Sequence, residues 1–238
     1  MRCQAIGIVA HSFQILVMNL ANTVHSSMKT NPKITAVVMA AGASSRMGAH
    51  KLLLELNGES LVRRVVRQIL AADSFFEVLV VTGREPENIR AALEGIPVRF
   101  VQNDAYLEGI GTSFRAAVSV LEPDTDGAMF ALADQVFVGG DLYQKLLETF
   151  ITSYLAQPRI VAAQYPTDEG LVIAPPHIFS QHFFQVIGTQ GHGAKPLIEK
   201  NKDQTTLLEF PAQALFDIDE PGDLERAKLM LSSIRLFD

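Results

Sequence analysis

Residues 34–51, ITAVVMAAGASSRMGAHK, read as a strand that runs straight into a ligand loop. From Ile34 to Met39 the chain is apolar apart from Thr35 and rich in β-branched residues, the pattern of a strand buried on both faces of a parallel sheet. The run breaks at Ala40-Ala41-Gly42 into a loop of small residues, which then delivers two cations, Arg46 and Lys51. Ligands in open α/β sheets sit just beyond the carboxyl ends of the strands. Small residues let backbone N–H groups close around phosphate oxygens, and Arg and Lys neutralise their charge. The loop therefore reads as a cradle for a polyphosphate, although the same pattern also occurs in loops that hold none. It is not a Walker P-loop, because Lys51 has no Gly-Lys-Ser/Thr context and no helix starts directly at it.

Outward from this loop, strand and helix patterns alternate. The apolar spacing of Leu61, Val62, Val65, Val66, Ile69 and Leu70 predicts an amphipathic helix over 60–72. Strands are expected at 78–82, ended by Gly83, and at 98–101, 128–132 and 160–163. Helices are expected at 86–93, 112–121, 141–154 and 221–231, two of them with Pro in the first turn. This alternation predicts an α/β fold with a mainly parallel sheet covered on both faces. Between Glu169 and Phe216 it breaks down. Pro175-Pro176, Phe183-Phe184 and the Gly188–Gly193 loop suggest an irregular region closing over the carboxyl edge of the sheet.

Composition bounds the rest. The 238 residues suit one domain with a short appendage, and 48% hydrophobic against 19% charged residues allow a sizeable core. A net charge of −6 argues against a nucleic-acid surface, whose footprint is basic. A single cysteine, Cys3, excludes a disulfide framework and suits a reducing cytoplasm. In residues 5–21 an apolar stretch is interrupted by His11, Ser12, Gln14 and Asn19, so a membrane span is not expected. Arg2 precedes that stretch, but no clear small-x-small cleavage site follows.

Met39 through Leu53 matches L-A-A-G-x-S-x-R-M-G-x-x-K-L-L. This run resembles the opening motif of Rossmann-like nucleotidyltransferases, in the branch of the molybdenum cofactor cytidylyltransferases. The resemblance implies a three-layer Rossmann-like nucleotidyltransferase fold. It also implies nucleotide binding by Ala40, Ala41, Gly42 and Ser44, with Arg46 and Lys51 as the catalytic cations. First strands of the family lie at the start of the chain, so residues 1–32 read as a non-essential extension and 33–238 as the domain. A natural start would be Met28.

Three further segments carry the resemblance. Leu132-Ala133-Asp134-Gln135 is similar to L-x-D-Q-P, whose Asp binds the metal, although Val136 stands where relatives mostly carry Pro. Its place at the end of an apolar strand suits a ligand, and an Asp capping the next turn would look the same. Asp217-Ile218-Asp219-Glu220-Pro221-Gly222-Asp223-Leu224 resembles D-I-D-T-P-E-D-L, which makes Asp219 the second metal carboxylate. Asp217 and Asp219 share a face of an extended segment, and Asp219 is also placed to cap the final helix. The stretch from Asn103 to Ser113 resembles N-x-x-x-x-x-G-x-x-x-S, a loop that meets base and ribose in relatives through Asn103, Gly109, Gly111 and Ser113. Thr112 and Ser113 could equally cap the helix that follows.

The acceptor side departs from the family. Gln190-Gly191-His192-Gly193-Ala194-Lys195 has Gly191 where G-D-x-G-A-R/K has Asp, and Ala174-Pro175-Pro176 replaces G-H-P. The implied function is transfer of CMP from CTP to a phosphorylated acceptor, the molybdopterin cofactor by resemblance, with Mg²⁺ held by Asp134 and Asp219. The Ala40-Ala41-Gly42 loop favours CTP, since guanylyl relatives more often have Ala-Gly-Gly. A sugar phosphate or methylerythritol phosphate is the rival acceptor. A non-catalytic molybdopterin chaperone serving a molybdoenzyme client is the rival from outside enzymology, and a binder would not need two metal carboxylates.

Overall fold

The computed structural model describes residues 32–42, 51–154, 159–187, 189 and 193–234. The extension expected over 1–32, apart from Pro32, and the loop residues Ser44 and Arg46 lie outside the described residues.

The chain enters through β1 (Ile34–Ala40), every residue of which is buried. A short antiparallel pair, β2 (Glu55–Leu56) and β3 (Glu59–Ser60), leads into α1 (Leu61–Leu70). β4 (Glu77–Thr82), α2 (Pro86–Ala92) and β5 (Arg99–Gln102) follow. Then come α3 (Ile110–Val118), β6 (Gly127–Leu132) and α4 (Gly140–Tyr154). A long hairpin, β7 (Ile160–Thr167) and β8 (Gly170–Ser180), is followed by α5 (Phe184–Ile187), α6 (Lys195–Lys200), β9 (Thr205–Glu209) and α7 (Pro221–Ile234).

The strands form a seven-stranded sheet in the order β5-β4-β1-β6-β8-β7-β9. β1 pairs in parallel with β4 and β6, β4 with β5, and β7 with β9, so only β8 runs against its neighbours. Side chains alternate across the sheet. Ala36, Val38 and Ala40 join α1 (Val62, Val65, Val66, Ile69) and α4 (Leu146, Leu147, Phe150) in one core cluster. Val37, Met39 and Ala41 join α3 (Phe114, Ala117) and α6 (Leu197, Ile198) in the other. The result is the three-layer, mainly parallel α/β fold that the alternation predicts. No helix among the described residues is long and apolar enough to cross a membrane.

One expectation is overturned. The segment read as irregular because of Pro175-Pro176 contains an eleven-residue strand, β8, inserted between β6 and β7. Proline is excluded from central strands because it lacks a ladder donor. Here the ladder does not ask for one. β8 pairs with β6 only from His177 onward, and its register with β7 shifts between Ala162 and Gln164, skipping residues 174–176. The Pro175 carbonyl is instead taken by the Tyr165 hydroxyl, which donates to it at 2.6 Å.

His177, on the paired part of β8, is fully enclosed. Burial draws its imidazole down to about 3 from the ordinary 6.5, against a hydrogen bond to the Pro176 backbone that works the other way. The folded state therefore keeps it neutral, while the unfolded chain takes up a proton below 6.5. This contribution to stability is complete above pH 6.5 and is lost as the pH falls toward 3. His177→Gln should make the acid-side loss of unfolding free energy shallower by up to about 1.4 kcal/mol per pH unit in that window. Urea unfolding of both proteins at several pH values checks this, and equal slopes would refute it.

Candidate active site

The parallel strands β1, β4, β5 and β6 all end at one edge, and the segments following them gather there: Ala41-Gly42, Gly83, Asn103–Gly109 and Ala133-Asp134. The side chain that ties this edge together is Lys51, at the start of a 3₁₀ turn over Lys51–Leu53. Its Nζ lies 2.7 Å from Asp134 Oδ2 and 2.7 Å from Asp219 Oδ1. The two carboxylate oxygens are therefore no further apart than twice 2.7 Å. Burial by itself would lower the lysine; Asp134 and then Asp219 outweigh it and hold the ammonium above its ordinary range.

The two arms differ in strength. Lys51 and Asp134 are only 14% and 18% exposed, so solvent screens their pair weakly, whereas Asp219 is 54% exposed. An exposed pair of that kind contributes about 0–1 kcal/mol. The Asp134 arm is the fixed one.

Asp134 owes its place to the turn after β6. Ala133 donates its N–H to Met39 O at 3.3 Å, tying the turn to β1. The N–H of Val136 donates to the Asp134 carbonyl at 2.9 Å, a bond that the proline of relatives could not make. The Val136 carbonyl accepts from Gln68 Nε2 at 3.1 Å and Arg64 Nε at 3.3 Å, so α1 braces the loop from below. Neither α1 residue stands out in the sequence, because each looks like an ordinary polar position on an amphipathic helix.

Asp219 does not cap α7 with its own side chain. Its carboxylate turns to Lys51, and Asp223 does the capping: Oδ2 accepts from the backbone N–H of Glu220 at 2.8 Å and of Asp219 at 3.0 Å. Asp223 stands three residues into the helix, the position from which an acidic side chain reaches back to the N-cap amide. These two N–H groups, then the Arg226 guanidinium, hold its carboxyl below the usual range. Its spacing from Glu220 is the signal for the cap in the sequence.

Asp217 is a third carboxylate near the pair. Burial first, then Asp134 and later Asp219, pushes it up to about 7 against the pull of Lys51, and its Oδ1 is buried without a hydrogen-bond partner. Among the described residues no three acidic, His or Cys side chains converge as a metal cage. The protein therefore offers Asp134 and Asp219, whose oxygens already meet on one cationic atom. That donor set fits Mg²⁺, which takes one or two carboxylates and completes its shell with waters and phosphate oxygens.

The Asn103–Ser113 segment closes on itself. Asn103 Nδ2 donates to Thr112 Oγ1 at 2.8 Å and Ser113 Oγ at 2.9 Å, and its Oδ1 accepts from Ala105 N at 3.1 Å. Thr112 Oγ1 in turn donates toward the carbonyls of Gly109 and Ala105. Asn103, Thr112 and Ser113 are buried, so these side chains shape the loop, while Leu107 and Ile110 stand exposed on it. Gly109 has φ 115°, a conformation that side chains disfavour, and Gly111 is buried in the first turn of α3. On the acceptor side, Gln190, Gly191 and His192 lie outside the described residues.

A family profile described as MobA-like NTP transferase domain matches residues 36–205, the span from β1 to the start of β9. The chain belongs to this family. Within it, a probable molybdenum cofactor guanylyltransferase of Pelotomaculum thermopropionicum is 26% identical over 208 residues, covering 84% of this chain and 95% of that one. Among solved structures, Rv0371c of Mycobacterium tuberculosis H37Rv superposes with a TM-score of 0.71 at 22% identity, covering 83% of this chain and 98% of that one; it has also been solved with manganese. The 4-diphosphocytidyl-2C-methyl-D-erythritolsynthase of Anaerococcus prevotii gives a TM-score of 0.70 at 15% identity, covering 84% and 96%. The MobA-like chain is thus a nucleotidyltransferase-fold enzyme.

Asp223→Ala should release the backbone at Asp219 and loosen the second arm of the Lys51 bridge. As a residue that acts through Asp219, it should cost about 10–100-fold in turnover. Thermal melting and nucleotide-dependent pyrophosphate release check this; full turnover in the variant would refute it.

Proposed function

We propose that the chain transfers CMP from CTP to a phosphorylated acceptor, the molybdopterin cofactor by resemblance, and releases pyrophosphate. The observation that carries the reading is the convergence of Asp134 and Asp219 on Lys51 at the carboxyl edge of the sheet. An acceptor phosphate oxygen attacks the α-phosphorus, the bond from that phosphorus to the β-phosphate bridge breaks, and pyrophosphate leaves with the electron pair. Such a transfer depends on positioning and on neutralising charge.

Each residue has a role in that scheme. Asp134 and Asp219 hold Mg²⁺, which when bound supplies Lewis-acid stabilisation of phosphate charge. Lys51, already fully charged, moves its ammonium from Asp219 to the triphosphate oxygens; the exposed arm is the one that gives way. Ala40, Ala41 and Gly42 offer backbone N–H groups to the phosphates. Ser44 and Arg46 join them on the strength of the motif. The Asn103–Ser113 loop presents backbone groups to the base.

Donor choice rests on Ala41. By resemblance, guanylyl relatives more often have Ala-Gly-Gly at this loop, the extra backbone room suiting a purine, whereas this chain has Ala41 there. GTP is the second reading, favoured by the full-length resemblance to a protein named as a guanylyltransferase. A pyrophosphate-release assay across four nucleotides separates them, run with molybdopterin, a sugar phosphate and methylerythritol phosphate as acceptors. Highest release with CTP and molybdopterin is expected. No release with any pair would overturn the enzymatic reading in favour of a non-catalytic carrier.

In the same assay Lys51→Ala should cut turnover by about two orders of magnitude or more, the scale of losing one transition-state donor. Asp134→Asn should abolish metal-dependent transfer in a protein that still folds. Near-normal turnover in either folded variant would refute its assignment.

A further inference from the structure

Gly83 follows β4 directly, at the same edge of the sheet as Ala41-Gly42 and the Asn103–Gly109 loop. A β-carbon built on it would lie 2.8 Å from the Ala41 carbonyl oxygen and 2.9 Å from both Cβ and Cγ of Tyr106. Separations under 3.0 Å are essentially never found for real β-carbons. The obstructing atoms are a backbone oxygen and the root of a side chain, neither of which can swing aside. Ala41 is buried against the core, and Asn103 anchors the far loop by donating its N–H to Thr82 O at 2.7 Å. The two loops therefore meet over the bare Cα of Gly83.

We propose that Gly83 is a positioning residue that sets the spacing between the phosphate loop at Ala41-Gly42 and the base loop carrying Tyr106. This rests on the reading of those loops as a nucleotide site. A methyl group at residue 83 has to push one loop away from the other by several tenths of an ångström. Phosphates and base are joined through one ribose, so a nucleotide cannot follow such a displacement on both ends. Affinity for the triphosphate should fall, while the sheet beneath keeps its pairing.

The test is Gly83→Ala in the full chain, with CTP and GTP affinities measured by calorimetric titration in Mg²⁺ and the melting temperature measured alongside. The expected result is a Kd for the preferred nucleotide raised about tenfold or more, the scale on which small misplacements act, in a protein that still melts cooperatively. A merely structural role would lower the melting temperature and leave the Kd of the folded fraction unchanged. Wild-type binding with an unchanged Kd in the variant overturns the proposal and leaves the nucleotide site standing. No binding of either nucleotide to the wild type overturns the site reading and the proposal together. If Gly83→Ala does not fold, Tyr106→Ala removes the ring from the other side of the contact without adding an atom. An unchanged Kd there also overturns the proposal.

Discussion

β1 is hydrogen-bonded on both edges and covered on both faces, and each part of the site is placed by where it stops. A strand in that position cannot slip, because a one-residue shift would exchange Ala36, Val38 and Ala40 with Val37 and Met39 between two differently shaped cores. Each fully buried Val or Ile contributes about 1.5–3 kcal/mol, so the register of β1 is defended by several such terms at once. Its neighbours in parallel, β4 and β6, inherit that register and bring Gly83 and Asp134 to the same edge. The small residues after β1 let the neighbouring loops come close, and on the proposed function they also leave backbone groups free for phosphate.

At this edge the charges are arranged to be tolerable without a ligand. Burial first, and then repulsion from Asp134 and Asp219, pushes Asp217 up to about 7 in this corner. Lys51 relieves Asp134 and Asp219 by sitting between them. Removing one partner of a shielded pair leaves an uncompensated charge, which is the expensive change. The shielded member here is Asp134, and the solvent-exposed Asp219 is the member that can exchange one cation for another at small cost. The same corner is thereby stable alone, and on the proposed function it is the corner that receives a cation bearing phosphates.

Much of this was legible in the chain. Apolar runs of strand length marked β1, β4 and β6, and a carboxylate two residues past such a run stands at the carboxyl edge of the sheet, as Asp134 does. The two-residue period put Asp217 and Asp219 together, though not their division of labour: Asp217 is the more enclosed and Asp219 faces Lys51. What stayed hidden depends on partners distant in sequence. β8 could not be read through Pro175-Pro176, because only the register shift in β7 excuses those prolines from the ladder. The sequence places Asn103 in a loop that meets base and ribose in relatives, and its hydrogen bonds to Thr112 and Ser113 exist only once the loop has closed.

The capping arrangement at α7 shows why local signals mislead near a site. Asp219 and Asp223 are both acidic, both near a helix start, and either could satisfy the first amides. If Asp219 capped the helix, its carboxylate would be held by the backbone and lost to Lys51. Asp223 takes the amides of both Glu220 and Asp219, which leaves the Asp219 carboxylate to Lys51 and fixes its backbone at the same time. Freedom of the carboxylate and rigidity of its base are thus supplied by different residues.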